Sequence, residues 1–159
     1  MILLRFPTLD PLALNTLHVY VHWGEMDAFQ HLNNVHYLRY FESARVTYIG
    51  GSGWMAPAPN TIRPILAETQ IKYRRQVVFP ATLTLQTVTI EMREKGCTVG
   101  TIFRNGEEIA AEARAVVLSF DYKLQKTVPM PKAVVDYAHQ LDAFHPPEIK
   151  QRLLASFKT

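Results

Sequence analysis

One helical period inside a chain that otherwise alternates by two constrains this sequence more than any other feature. From Val35 to about Ile49, apolar residues recur at spacings of three and four (Val35, Leu38, Phe41, Ala44, Tyr48), while Arg39, Glu42, Ser43 and Thr47 fall on other faces. Asn33 or Asn34 can cap the start by accepting a backbone N–H, and Gly50-Gly51 supplies the stop. Tyr37, Tyr40 and Val46 widen the apolar surface beyond a narrow stripe, so the helix is expected to be largely enclosed. A single enclosed helix calls for a sheet that wraps it.

The flanking segments supply strands. Residues 17–23 alternate, with Leu17, Val19, Val21 and Trp23 on one face and His18, Tyr20 and His22 on the other. After a Gly/Pro-rich loop from Gly50 to Pro64, Ile65, Ala67, Thr69, Ile71 and Tyr73 alternate with Glu68, Gln70, Lys72 and Arg74. Thr82 to Arg93 and Thr98 to Arg104 continue in β-rich vocabulary, Asn105-Gly106 signals a hairpin, and Glu107 to Asp121 reads as a long final strand. From Lys132 onward two short helices are expected, broken at Pro146. One strand, one helix, about four more strands and a helical tail make an α+β pattern, not alternating βα units.

A chain of 159 residues, 48% hydrophobic and 19% charged, suits one packed domain spanning 1–159, with an N-terminal arm at 1–16 and a C-terminal helical tail at 132–159. The single cysteine, Cys97, excludes an intramolecular disulfide and any multi-cysteine zinc site, which points to a reducing, cytoplasmic setting. The apolar start Met1-Ile2-Leu3-Leu4 is soon broken by Arg5, Pro7 and Asp10, too short for a secretory leader or a membrane span. A net charge of +3 and a pI near 9.1 suit an anionic partner, but Arg74-Arg75 is the densest basic point, which argues against nucleic acid. His18 and His22 share a strand face roughly 13 Å apart, too wide for one metal ion, and no other spacing suggests a metal. His36 reads as a helix-surface or interface residue.

Trp23-Gly24-Glu25-Met26-Asp27, then His31-Leu32-Asn33-Asn34-Val35-His36-Tyr37, then Tyr40-Phe41-Glu42-Ser43-Ala44-Arg45 together resemble the 4-hydroxybenzoyl-CoA thioesterase family of hotdog-fold proteins. With the strand pattern, the resemblance extends over roughly residues 17 to 125. It implies a five-stranded antiparallel sheet around the helix and assembly into a homodimer or homotetramer with catalysis at the subunit interface. It implies acyl-CoA thioesterase activity, with Asp27 as the catalytic carboxylate and the backbone amide of Asn34 polarising the thioester carbonyl. His31 and Asn33 become supporting loop residues. The resemblance favours Arg93 and Lys95 for the coenzyme phosphates, with Arg74 and Arg75 as further cations. Coenzyme A is then part of the substrate, an acyl carrier protein could take its place, and no separate cofactor is called for.

So small a set suffices for this chemistry. A thiolate leaves as an anion without a dedicated acid, so the work is to deliver water or a nucleophile and to stabilise the oxyanion. The first helical turn offers unpaired N–H groups and a positive dipole end for the oxyanion. Asp27 acts either as a base on water or as the nucleophile; the sequence leaves both open. Phe29, Trp54 and Met55 are candidates for shaping the acyl pocket.

A bland reading stands beside each of these. An aspartate before a helix is commonly a loop or capping residue, and His31 and Asn33 could serve only to orient the loop. Glu42 is the second candidate carboxylate, although an ion pair with Arg39 or Arg45 explains it more simply. Two competing functions follow: a hotdog dehydratase using His31 and Glu42, which lacks here a Pro-Gly-rich connection between histidine and helix, and a non-catalytic acyl-CoA or acyl-carrier binding module.

Overall fold

The computed structural model describes residues 15–57 and 59–158. The expected N-terminal arm lies outside the described residues up to position 14, and Thr16 already opens the first strand. The order is β1 (Thr16–Val21), α1 (Asn34–Gly50), β2 (Ile62–Tyr73), β3 (Ala81–Arg93), β4 (Gly96–Asn105), β5 (Glu108–Asp121), β6 (Lys126–Thr127), α2 (Lys132–Asp142) and α3 (Pro147–Ser156). All strand pairings are antiparallel, in the order β1-β3-β4-β5-β2, with the short β6 added to the end of β5. The sheet wraps α1 in the hotdog arrangement, so β1 and β2 are its two edges.

The helix seats on the inner face of the sheet through Tyr37, Tyr40, Phe41, Ala44 and Tyr48, all buried. Phe103 of β4 meets two of these rings, with centroids 5.7 Å from Tyr37 and 6.5 Å from Phe41. Room for so many aromatics comes from β5, whose inner face carries Ala111, Ala113 and Ala115. Each large buried side chain contributes about 1.5–3 kcal/mol by leaving water, so this layer dominates the core.

The expectation of a largely enclosed helix does not hold for the single chain. Val35, Leu38 and Val46 are 49%, 46% and 40% exposed, because the sheet covers only the face defined by Tyr37, Phe41, Ala44 and Tyr48. Trp23 is likewise corrected: β1 ends at Val21, and Trp23 sits in a single 3-10 turn with 76% of its surface exposed. The hairpin at Asn105-Gly106 is present, with Gly106 alone taking the positive φ, +59°.

The outer face is covered by the tail. Ile149 and Leu153 of α3, with Phe157 beyond it, pack on Val88, Ile90 and Ile102. Gly100 makes this approach possible, since a Cβ there would lie 2.6 Å from Ile90 Cδ1 and 2.9 Å from Leu153 Cδ1. The break between the two tail helices falls at Pro146, as expected, since a proline cannot continue the preceding helix.

Candidate active site

The loop between β1 and α1 is closed by its own backbone. Met26 and Leu32 form an isolated antiparallel bridge, the Asp27 N–H donates to the His31 carbonyl at 2.8 Å, and the Gln30 N–H donates to the Asp27 carbonyl at 3.0 Å. This tight turn places Gln30 at φ 63°. Inside it, Asp27 Oδ1 accepts the Phe29 N–H at 2.8 Å and the His31 N–H at 3.2 Å. Among the described residues no donor is bonded to Oδ2. One carboxylate oxygen is therefore an anchor and the other is without a described partner.

Two braces hold the loop to the rest of the fold. The Leu32 N–H donates to the Val77 carbonyl at 2.8 Å, and the Asn33 N–H to the Glu25 carbonyl at 3.0 Å. Glu25 Oε2 accepts the His22 N–H at 2.7 Å and the hydroxyl of Tyr40 on α1, while His36 Nδ1 lies 3.4 Å from Oε1. Burial alone would raise the proton affinity of Glu25, but the Tyr40 hydroxyl, the His22 amide and the neighbouring histidines outweigh it and hold the carboxyl below its ordinary range. Burial, then the carboxylate of Glu25, pushes Tyr40 in the opposite direction, so its phenol keeps the donated proton. Sequence reasoning missed this pair; the available signal was a glutamate four residues after the end of a strand, facing a tyrosine on the buried helix face.

The helix start is capped from Asn33, whose Oδ1 accepts the Val35 N–H at 3.1 Å and whose carbonyl accepts the His36 N–H at 3.0 Å. The Asn34 N–H, one residue earlier than the capped amide, has no acceptor among the described residues. An unpaired amide at a helix N-terminus is a ready donor for a developing negative charge.

A cavity of about 430 Å³ opens beside these groups, lined among others by Asp27, His31, Asn34, Tyr37, Tyr73 and Arg74, with Arg75 and Val77 completing its wall. Tyr37 follows Asn34 by three residues and so lies over the same helix face; burial and then Tyr73 push its phenol up to about 12, keeping it a proton donor. Tyr37 and Tyr73 meet edge to face at 5.2 Å. Neither was singled out from the sequence as part of the site.

Five of the expected site residues, Asp27, His31, Asn34, Arg74 and Arg75, thus come together, while Asn33 supports from the cap. Arg93 and Lys95 do not join them within one chain. They sit at the β3–β4 turn, whereas the Asp27 loop follows the other end of β3, where Val21 pairs with Ala81, roughly 40 Å away along the strand. Arg93 is also engaged by Glu91, at 2.6 and 2.9 Å. Glu42 is exposed and makes no ion pair with Arg39 or Arg45, contrary to expectation; Arg45 instead lies over the Phe41 ring at 4.7 Å. Trp54 is 1% exposed in the core and Met55 lines a different cavity, so neither shapes this one, and Phe29 points to solvent.

A model of the thioesterase-like superfamily matches residues 21–153. The chain belongs to the thioesterase-like superfamily. No match is found among curated proteins. Solved structures share the fold of this thioesterase-like protein. A thioesterase-superfamily protein of Jannaschia sp. CCS1 superposes with a TM-score of 0.72 at 24% identity, covering 80% of this chain and 82% of that one. YbaW of Escherichia coli, described as a probable thioesterase, gives 0.70 at 23%, covering 80% and 98%. A hypothetical protein of Thermus thermophilus gives 0.71 at 16%, covering 80% and 98%. These likenesses establish the hotdog architecture of this thioesterase-like chain.

Proposed function

We propose that this protein is an acyl-CoA thioesterase, cleaving an acyl-CoA thioester to a carboxylic acid and free coenzyme A. The observation that carries the reading is the pairing, across one cavity, of an anchored carboxylate with a free oxygen and an unpaired amide at a helix N-terminus. In this reading the thioester carbonyl lies on the Asn34 N–H, and Asp27 Oδ2 delivers water or attacks directly. The oxyanion collapses with departure of the thiolate. Arg74 and Arg75 at the cavity wall draw the phosphates of the coenzyme.

A second copy completes the enzyme. Support comes from the apolar surface left open around the cavity by one chain (Val35, Leu38, Trp23, Phe29) and from the free edge of β2. Light scattering on a sizing column is expected to give a dimer or tetramer; a monomer at working concentration removes this part of the reading. Among the described residues no helix is long and apolar enough to cross a membrane.

The deciding experiment is thiol release from short, long and aromatic acyl-CoAs by the wild type and Asp27→Asn, which keeps the shape of the side chain and its acceptor oxygen. A loss of about a hundredfold or more in kcat with similar KM supports Asp27 in the chemical step. Equal turnover by both proteins refutes the assignment. Tight acyl-CoA binding without any thiol release by the wild type replaces the enzyme with a binding module.

A further inference from the structure

Glu112 of β5 is fully buried on the outer face of the sheet, and it is shared. Its Oε2 accepts Arg74 Nε at 2.6 Å and the Ser156 hydroxyl at 3.0 Å; its Oε1 accepts Arg152 Nε at 2.6 Å. One of the terminal nitrogens of Arg74 donates to Ser156 Oγ at 2.9 Å. Lys72 stands beside them, donating to the Ser156 carbonyl and lying over the Phe157 ring.

Two arginines share this one carboxylate and Lys72 stands close by, so among these described groups the cations outnumber the carboxylate. Among the described residues, Glu68 is engaged with Arg114 at 2.8 Å. Both arginines spend Nε on Glu112, so the two guanidiniums are held about 7 Å apart or closer, the span of two hydrogen bonds and a carboxylate. Neither terminal nitrogen of Arg152 is used in a described hydrogen bond, nor is the second one of Arg74. Their side chains remain 47% and 40% exposed.

A buried ion pair that only pinned α3 to the sheet would need one arginine. Two guanidiniums oriented by one carboxylate, with three of their four terminal nitrogens outside any described hydrogen bond, match a tetrahedral dianion, whose oxygens can take donors from each side. Arg74 also walls the Asp27 cavity, so the pair stands next to that cavity.

We infer that Arg74 and Arg152, oriented by Glu112 and Ser156, form a phosphate-binding site at the edge of the cavity. The phosphate belongs to the coenzyme end of the substrate or to a free phosphate ion; the coenzyme assignment rests on the thioesterase reading above, the site itself does not.

Calorimetric titration of the full chain with coenzyme A, pantetheine and inorganic phosphate tests it, comparing the wild type with Arg152→Ala and Arg152→Lys. Arg152 lies outside the proposed catalytic groups. A rise of about tenfold in the Kd for coenzyme A with Arg152→Ala, a smaller rise with Arg152→Lys and no change for pantetheine, which has no phosphate, are expected. Arg152-dependent binding of inorganic phosphate with coenzyme A indifferent to the substitution keeps the site and assigns it to the free ion. Coenzyme A and phosphate both indifferent to Arg152→Ala overturn the inference, and so does a loss that extends equally to pantetheine, because that is the mark of a merely loosened helix. Arg152→Lys retains the charge that pins α3, and its melting temperature alongside that of Arg152→Ala separates unfolding from lost recognition. Arg152-dependent coenzyme binding by a protein that releases no thiol sinks the thioesterase reading and leaves the phosphate site standing.

Discussion

The hydroxyl of Tyr48 donates to Asp142 Oδ1 at 2.6 Å, tying the buried face of α1 to the last turn of α2. Thr89 of β3 closes the triangle: its hydroxyl lies 2.7 Å from that of Tyr48, and its N–H donates to the same carboxylate oxygen at 3.1 Å. Burial, then the charge of Asp142, raises the proton affinity of the phenol, so it stays a donor. Tyr48→Phe removes that donor while keeping the ring. A loss of about 2 kcal/mol is expected, a fall in Tm of about 4–8 °C by scanning calorimetry. An unchanged Tm means the carboxylate finds water instead and the triangle contributes nothing.

Glu25 gives the site loop a pH dependence. Its folded-state proton affinity is lowered, so the stability it lends is fully present above the ordinary glutamate value of 4.5 and is lost as pH falls through the lower folded value. Glu25→Gln is expected to cost about 1–2 kcal/mol at pH 7 and to differ less from the wild type as the pH drops toward 3. Urea denaturation at several pH values reads this out. A gap that is constant with pH shows that the charge of Glu25 plays no part.

Asn33→Ala deprives the Val35 amide of its cap, at a cost of about 1 kcal/mol. Asn33→Asp keeps an acceptor in place and adds a charge suited to a helix N-terminus. Stability should therefore fall for the alanine variant and hold for the aspartate one, while thiol release falls far less in either than in Asp27→Asn. A loss of activity in Asn33→Asp as large as that in Asp27→Asn would make Asn33 more than a cap.

Cys97 is 5% exposed, and burial followed by the charge of Asp142 pushes its thiol up to about 12. Thiolates, not thiols, attack disulfide reagents. At pH 8 the native protein is expected to react with Ellman's reagent at least about a hundredfold more slowly than the protein in urea. Rapid labelling of the native state would reveal frequent opening of the sheet around β4.

The strands and helices were largely legible because their periods are strong. The alternation from Ile65 to Tyr73 and the spacing from Val35 to Tyr48 each encode a face, and the observed elements lie within a few residues of those limits. The loop aspartate was legible through its company, His31, Asn33 and Asn34, and the loop does gather around it. What a linear pattern cannot convey is which of two apolar faces a helix turns inward: Val35 and Leu38 fit the helical period as well as Tyr37 and Tyr40, and only the position of the sheet decides between them. Distance along a strand was also hidden. The resemblance favours Arg93 over Arg74, yet the length of β3 separates the first from Asp27 while the end of β2 delivers the second. Arg152 lay in the tail, beyond the reach of the motif, and only the return of α3 across the sheet brings it to Glu112.

Ala111, Ala113 and Ala115 are not themselves lining residues of the cavity, yet they set how deep the aromatic face of α1 can sink. A bulkier side chain at any of them would lift the helix as a rigid rod, and the Asn34 amide would ride outward with it while Asp27, tied to its own loop, stayed behind. The spacing between the two groups is thus gauged from below, by three methyl groups acting as shims.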